Sequence, residues 1–264
     1  MGQLMSAEFK NRKNLFIPYL MAGDPDPGTT IEAALALEEA GADVIEWGVP
    51  YSDPLADGPV IEQAAIRSIA QGMNILKAVE LAGRAREQGL TIPVVLFTYI
   101  NPVLATGESL LVEKAARAGI DGLLIPDLPY EESGGLKRLA REHGIALIPL
   151  IAPTSRKRVK KIAGDSDGFL YLVSSLGVTG TREQFQEDLS DIIREVNNVT
   201  DTPVAVGFGI SKREHVKKFH ELADGVVIGS ALVRFLHERR NKLNGSERNS
   251  VLAELKQFVR ELIS

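Results

Sequence analysis

The stretch EWGVPYSDPLADGP, from Glu46 to Pro59, gathers the residues best suited to acid–base chemistry. The apolar run Ala42, Val44, Ile45 delivers the carboxylate Glu46 at its end, and a loop with Pro50, Pro54 and Pro59 follows, carrying Asp53 and Asp57. Proline fixes φ and lacks an N–H, so a strand cannot continue through this loop. Two carboxylates facing each other in different surroundings can divide the roles of general acid and general base. The same residues also admit a structural role, with Glu46 paired to a basic side chain and the loop aspartates capping the next helix.

A second signal lies in three glycine-rich turns, each following an apolar run: Gly177-Val178-Thr179-Gly180, Gly207-Phe208-Gly209-Ile210 and Gly229-Ser230. Glycine lets backbone N–H groups approach an anion closely, and a helix starting there adds its positive end. The segment Ala231–Leu236 reads as such a helix, with Ser230 as its cap and hydroxyl donor. No lysine or arginine stands in the core of these turns, which suits a single phosphate monoester held by neutral donors. Nothing resembles a Walker A loop. Tyr19, Phe97, Tyr99, Leu124, Tyr171 and Phe208 fall at or near the ends of apolar runs and, with Ile61, predict a flat apolar surface beside the phosphate.

These residues need a scaffold that brings run ends to one rim. Eight apolar runs qualify as strands: Leu15–Met21, Ala42–Glu46, Ile92–Phe97, Gly122–Ile125, Ala146–Leu150, Gly168–Val173, Pro203–Val206 and Gly225–Ile228. Amphipathic stretches with helical periodicity lie between them, among them Thr29–Ala40, Val79–Gln88, Leu110–Ala118, Leu136–Glu142 and Phe185–Val196. Several of these helices close on a glycine just before the next run, as at Gly41, Gly89, Gly119 and Gly144. Continuous apolar strands alternating with helices predict an α/β fold, a single (β/α)8 TIM barrel. The expected organisation is one domain over residues 1–264, with a helical extension over 1–14, an extra helical piece between the second and third strands, and a C-terminal helix over 250–264. The basic stretch His237–Arg248 reads as a solvated connection. A length of 264 residues suits one such barrel.

Composition narrows the function further. A net charge of −5 argues against a nucleic-acid partner. With no cysteine there is no thiolate ligand, disulfide or cysteine nucleophile, and the four histidines show no ligand spacing, so no metal is expected. No apolar run is long enough for a membrane span and no leader pattern opens the chain, which predicts a cytoplasmic protein. None of the eight runs ends in a lysine, which counts against a Schiff-base aldolase.

The chain carries the motif Glu46-x-Gly48-Val49-Pro50-x-Ser52-Asp53-Pro54-Leu55-Ala56-Asp57-Gly58-Pro59 and, in this order along it, Pro18-Tyr19…Ala22-Gly23-Asp24-Pro25, Tyr99-x-Asn101-Pro102, Pro126-Asp127-Leu128-Pro129 and Gly177-Val178-Thr179-Gly180. From Phe16 to His237 the chain closely resembles the tryptophan synthase α subunits, which are indole-3-glycerol-phosphate lyases. The resemblance implies catalytic Glu46 and Asp57, with Tyr171 at a substrate hydroxyl. It places the phosphate at Gly180, Gly209, Gly229 and Ser230, and the indole among Tyr19, Ile61, Phe97, Tyr99, Leu124, Thr179 and Phe208. Thr179 would belong to a loop closing over the site and touching Asp57. The implied reaction is a retro-aldol cleavage to indole and glyceraldehyde 3-phosphate, within L-tryptophan biosynthesis. It needs no cofactor, and the implied partner is a β subunit in an αββα complex. Contacts with that partner would come from Asp53–Asp57, Asn101–Thr106 and Thr179–Glu183. Against the family pattern, Trp47 and Tyr51 replace smaller aliphatic and phenylalanine residues, Tyr19 a phenylalanine and Phe97 a leucine, changes that bear on pocket fit. The alternatives are a stand-alone lyase, a barrel acting on another sugar phosphate, and a catalytically inactive phosphate-binding barrel.

Overall fold

The computed structural model describes residues 9, 12–152, 158–173, 182–207 and 212–263, with the backbone alone for 182–188. The apolar runs form β1 (Leu15–Met21), β2 (Ile45–Gly48), β3 (Val94–Phe97), β4 (Gly122–Leu124), β5 (Ala146–Ile148), β6 (Leu150–Ile151), β7 (Leu170–Val173), β8 (Val204–Gly207) and β9 (Gly225–Ile228). Hydrogen bonding joins them in the order β5-β4-β3-β2-β1-β9-β8-β7-β6, every pairing parallel. The two ends of that order, β5 and β6, are separated in the chain by Pro149 alone. Proline has no N–H to give a ladder, so the run expected over Ala146–Leu150 is interrupted there. Ile148 pairs with Leu124 on one side of the break and Leu150 with Tyr171 on the other. The broken strand therefore brings the sheet's ends together, and the nine segments make the expected (β/α)8 barrel.

Between the strands run α1 (Pro27–Glu39), α2 (Pro59–Ala70), α3 (Ile75–Glu87), α4 (Ile100–Thr106), α5 (Glu108–Arg117), α6 (Gly134–Glu142), α7 (Val159–Gly164), α8 (Arg182–Asn197) and α9 (Arg213–His220). After β9 come α10 (Ser230–Glu238), α11 (Arg240–Leu243) and α12 (Arg248–Ile263). The start of α1 is set by Asp26, whose carboxylate accepts the Thr29 N–H at 2.9 Å, with Pro27 in the first turn. Two helices, α2 and α3, fill the β2–β3 connection, where an extra helical piece was expected. The stretch His237–Arg248 is not simply a solvated connection. It holds α11, whose Leu243 is fully buried. In α12, Val251, Leu255, Val259 and Leu262 form one buried stripe at helical spacing, packed toward α1 and α9. Of the expected N-terminal helical extension, Phe9 is helical and buried and residues 12–14 are not helical, while 1–8, 10 and 11 lie outside the described residues.

Alternation along the strands divides the core in two. Phe16, Leu20, Ile45, Trp47, Leu96 and Leu172 belong to the layer beneath the helices. Leu15, Ile17, Tyr19, Val44, Val95, Phe97 and Tyr171 fill the barrel interior. Because side chains alternate with period two, Glu46 shares the inward side with Val44, whereas Trp47 points out. Trp47 is fully buried there and its indole N–H donates to the Ala78 carbonyl in α3 at 3.1 Å.

At the opposite end the barrel floor is stitched by a repeated device. Asp43 donates its N–H to the Phe16 carbonyl (2.9 Å) and accepts the Phe16 N–H at Oδ2 (2.8 Å). Asp121 does the same with Val94, and Asp224 with Val204. Each carboxylate also takes a cation: Arg12 on Asp43, Arg86 on Asp121 and Lys13 on Asp224. An aspartate just ahead of a strand thus extends the parallel ladder by one rung and neutralises itself on a neighbouring element.

Candidate active site

Glu46 lies on β2, opposite Tyr19 of β1 and Val95 of β3. It was expected at the strand's last residue, but β2 continues to Gly48, so the carboxylate projects from mid-strand into the barrel. Its side chain is almost wholly buried, and Oε1 makes no hydrogen bond and Glu46 no ion pair among the described residues. Burial pushes the Glu46 carboxyl up to about 8, and the nearby charge of Asp57 pushes in the same direction.

Asp57 comes from the loop after β2, just before α2. The N-cap of α2 is Gly58 and has no side-chain cap bond, so Asp57 does not serve as a cap. Partial burial drives its carboxyl up to about 6, against the pull of a hydrogen bond from the Tyr99 hydroxyl, while the charge of Glu62 adds to the rise. Asp57 therefore ionises first, and its charge then holds the proton on Glu46. At neutral pH the arrangement offers one protonated carboxyl in an apolar wall and one carboxylate at the mouth. Neither residue plays the salt-bridge or capping role that the sequence also admitted.

Aromatic rings line the space between them. Tyr19 meets Phe97 edge-on at 5.8 Å, Phe97 meets Tyr99 edge-on at 6.0 Å, and Tyr99 lies against Tyr51 at 5.4 Å. Tyr19 and Tyr171 both feel Glu46 and Asp57, and burial above all raises their phenols well beyond the ordinary range, keeping them neutral donors. Both rings cross to the next strand and lie over a glycine. A β-carbon on Gly48 would stand 2.0 Å from the Tyr19 hydroxyl oxygen, and one on Gly207 2.0 Å from that of Tyr171. Leu124 and Phe97 face the same interior, and Ile61 reaches it from α2.

The glycine turns are described only in part. Gly229 sits beside Tyr19, with room for a β-carbon only at 3.3 Å from the Tyr19 Cβ. It is Gly229, not Ser230, that caps α10. Ser230 is the first helical residue, so its hydroxyl and the first N–H groups stand together at the helix start after β9. Gly177, Val178, Thr179, Gly180, Phe208 and Gly209 lie outside the described residues. The expected effect of Trp47 on pocket fit does not hold, because Trp47 faces α3 on the far side of the sheet.

Sequence reading named three further residues without seeing what they do. Gly48 makes room for Tyr19, a role its place in the motif two residues after Glu46 did not reveal. Asp24, buried after β1, forms a two-point ion pair with Arg67 of α2 at 2.8 Å for both bonds, fixing the helix that follows Asp57. Tyr51 accepts a hydrogen bond at its hydroxyl from Asn101 Nδ2 at 3.1 Å.

The family model described as tryptophan synthase alpha chain matches residues 5–262. The tryptophan synthase alpha chain of Halalkalibacterium halodurans is 51% identical over 261 residues, covering 98% of both chains. That of Bacillus subtilis is 48% identical over 257 residues, covering 97% of this chain and 96% of the relative. Among solved structures, tryptophan synthase subunit alpha from Legionella pneumophila superposes with a TM-score of 0.85 at 32% identity, covering 100% of this chain and 97% of its own. A chain of the tryptophan synthase a2b2 complex from Pyrococcus furiosus gives 0.82 at 36% identity, covering 96% and 98%. With its barrel, its paired carboxylates and relatives matching it nearly end to end, the chain belongs to the tryptophan synthase alpha chain family.

Proposed function

We propose that Glu46 and Asp57 carry out the lyase reaction of the tryptophan synthase α subunit: indole-3-glycerol phosphate is cleaved to indole and glyceraldehyde 3-phosphate. The observation that carries this reading is the pairing of one buried carboxyl, free of any ion pair among the described residues, with a second carboxylate at the mouth, near the Tyr99 hydroxyl. Glu46 enters protonated and delivers its proton to indole C3, leaving positive charge on the ring nitrogen. Asp57, ionised, accepts a hydrogen bond from N1–H and stabilises that charge. The Glu46 carboxylate then takes the proton from the hydroxyl on the carbon attached to C3. The C–C bond breaks, its electron pair returns to the ring, and the hydroxyl carbon becomes the aldehyde. Glu46 ends protonated as it began, so no external acid, metal or organic cofactor is required.

Tyr171, lying over Gly207, holds a glycerol hydroxyl in this reading. Gly229 and Ser230 at the start of α10, together with Gly180 and Gly209, bind the phosphate through backbone donors and the helix N-terminus. Tyr19, Ile61, Phe97, Tyr99, Leu124, Thr179 and Phe208 enclose the indole. Leu55 is 83% exposed and Leu104, on α4, 58%, and both belong to the segments assigned to a β subunit, which supports assembly into an αββα complex. Among the described residues no helix is long and apolar enough to cross a membrane, and we place the protein in the cytoplasm as one barrel domain.

The experiment is release of indole from indole-3-glycerol phosphate by the purified chain, with and without a β subunit. Indole formation that rises on addition of β is expected. Turnover indifferent to β would instead identify a stand-alone lyase, and no indole under either condition would overturn the reading.

A further inference from the structure

The loop that carries Asp57 has little of its own to hold it. From Ser52 to Gly58 no side chain is buried, and Leu55 points almost wholly into solvent. Segments with few buried contacts open readily, yet a catalytic carboxylate must stay within a fraction of an ångström of its position. Pro50 and Pro54 remove some freedom from the chain. What fixes the loop in space is its contact with the end of β3. The Ala56 N–H donates to the Tyr99 hydroxyl at 3.2 Å, and the same hydroxyl stands near enough to the Asp57 carboxylate to favour its ionised form. Tyr99 in turn is held from the other side by Tyr51, whose ring lies 5.4 Å away and tilted by 33°. The Tyr51 hydroxyl accepts from Asn101 Nδ2 at 3.1 Å, and Asn101 stands in the first turn of α4, two residues after Tyr99. The start of the loop, its end and the strand that faces it are thus joined in one chain of contacts.

We propose that Tyr51 is a positioning residue for the lyase reaction: its hydroxyl, anchored by Asn101, and its ring, laid against Tyr99, hold the loop so that Asp57 meets the indole N–H. The inference rests on the lyase reading above and adds to it a residue that touches no substrate. Tyr51→Phe removes one hydrogen bond and keeps the ring, so kcat for indole release should fall about 2- to 10-fold while KM stays within about twofold. Tyr51→Leu, which also removes the ring, should lose more. Asn101→Ala should reproduce the Tyr51→Phe loss, and the double variant should lose no more than either single one, because both delete the same bond.

The test is steady-state kinetics of indole release by wild type and these four variants, with a melting curve for each. Wild-type kcat in Tyr51→Phe would overturn the proposal. So would a double variant whose loss is the product of the single losses, or variants that melt earlier but turn over normally. If wild type itself releases no indole, it is the lyase reading that fails, so the two failures are told apart.

Discussion

The Tyr19 hydroxyl lies 2.0 Å from the place where a β-carbon on Gly48 would stand. The ring therefore occupies the space that any other residue at position 48 would need, and the two positions are fixed together. Gly48→Ala should force Tyr19 away from Phe97 and toward Glu46. Overpacking of this kind costs about 1–3 kcal/mol, and the displaced wall should lower kcat/KM by about 10- to 100-fold. Denaturant midpoints and indole-release kinetics on the same preparation check both effects. Gly207→Ala, which displaces Tyr171 in the same way, should behave alike.

The two carboxyls set the pH dependence of the reaction. The active form has Asp57 ionised and Glu46 protonated, so activity rises as Asp57 loses its proton near about 6 and falls as Glu46 loses its own near about 8. The expected kcat/KM profile is a bell with its summit between these values, its limbs belonging to the pair. A profile rising steadily to pH 9 would contradict the assignment of Glu46 as the acid.

The same groups act on stability with a definite sign. The Glu46 carboxyl is raised from an ordinary value of 4.5 to about 8 in the folded chain. Between those values the unfolded chain has lost this proton and the folded chain keeps it, so unfolding releases a proton and becomes easier as pH rises. Full stability from this group is present below 4.5 and is lost as pH climbs through about 8. Glu46→Gln, which cannot ionise, should therefore gain stability over wild type progressively across that window, with little difference at pH 4. Melting temperatures of both proteins over pH 4–9 measure this directly, and a constant offset at every pH would rule it out.

The barrel floor gives a separation of stability from catalysis. Asp121 completes the ladder with Val94 and pairs with Arg86 at 2.6 Å, at the end of the barrel away from Glu46. Asp121→Ala leaves the Val94 N–H and the guanidinium without this partner and should lower stability by about 2 kcal/mol or more. Asp121→Asn, which can still accept from Val94, should lose less. Both should keep kcat within about twofold of wild type, because no catalytic group moves.

Most of the scaffold was legible because parallel strands covered by helices read as unbroken apolar runs. Leu15–Met21 and Gly225–Ile228 form as expected residue for residue. Ala146–Leu150 was misread because one apolar run hides whether Pro149 faces one neighbour or parts two. The burial of Leu243 was obscured by the charges around it in HERRNKLNGSER. Glu46 and Asp57 were visible from their types, from the apolar run that leads to the first and from the proline-rich loop that carries the second. What governs their proton affinities was not, because burial in the packed barrel raises both, and only for Asp57 does Tyr99, far away in sequence, pull the other way. The outward direction of Trp47 follows from strand alternation once Glu46 is known to face inward, so that signal was present in the sequence and went unused. The floor aspartates also had a readable pattern, a helix-closing residue followed within three positions by aspartate and then a strand.

The most direct test of the mechanism is single-turnover indole formation by Glu46→Gln and Asp57→Asn beside wild type, each shown to be folded. Loss of about 10²- to 10⁴-fold or more in both variants is predicted, since each removes a group that acts on the reacting atoms. Near-wild-type turnover by either variant would contradict the account.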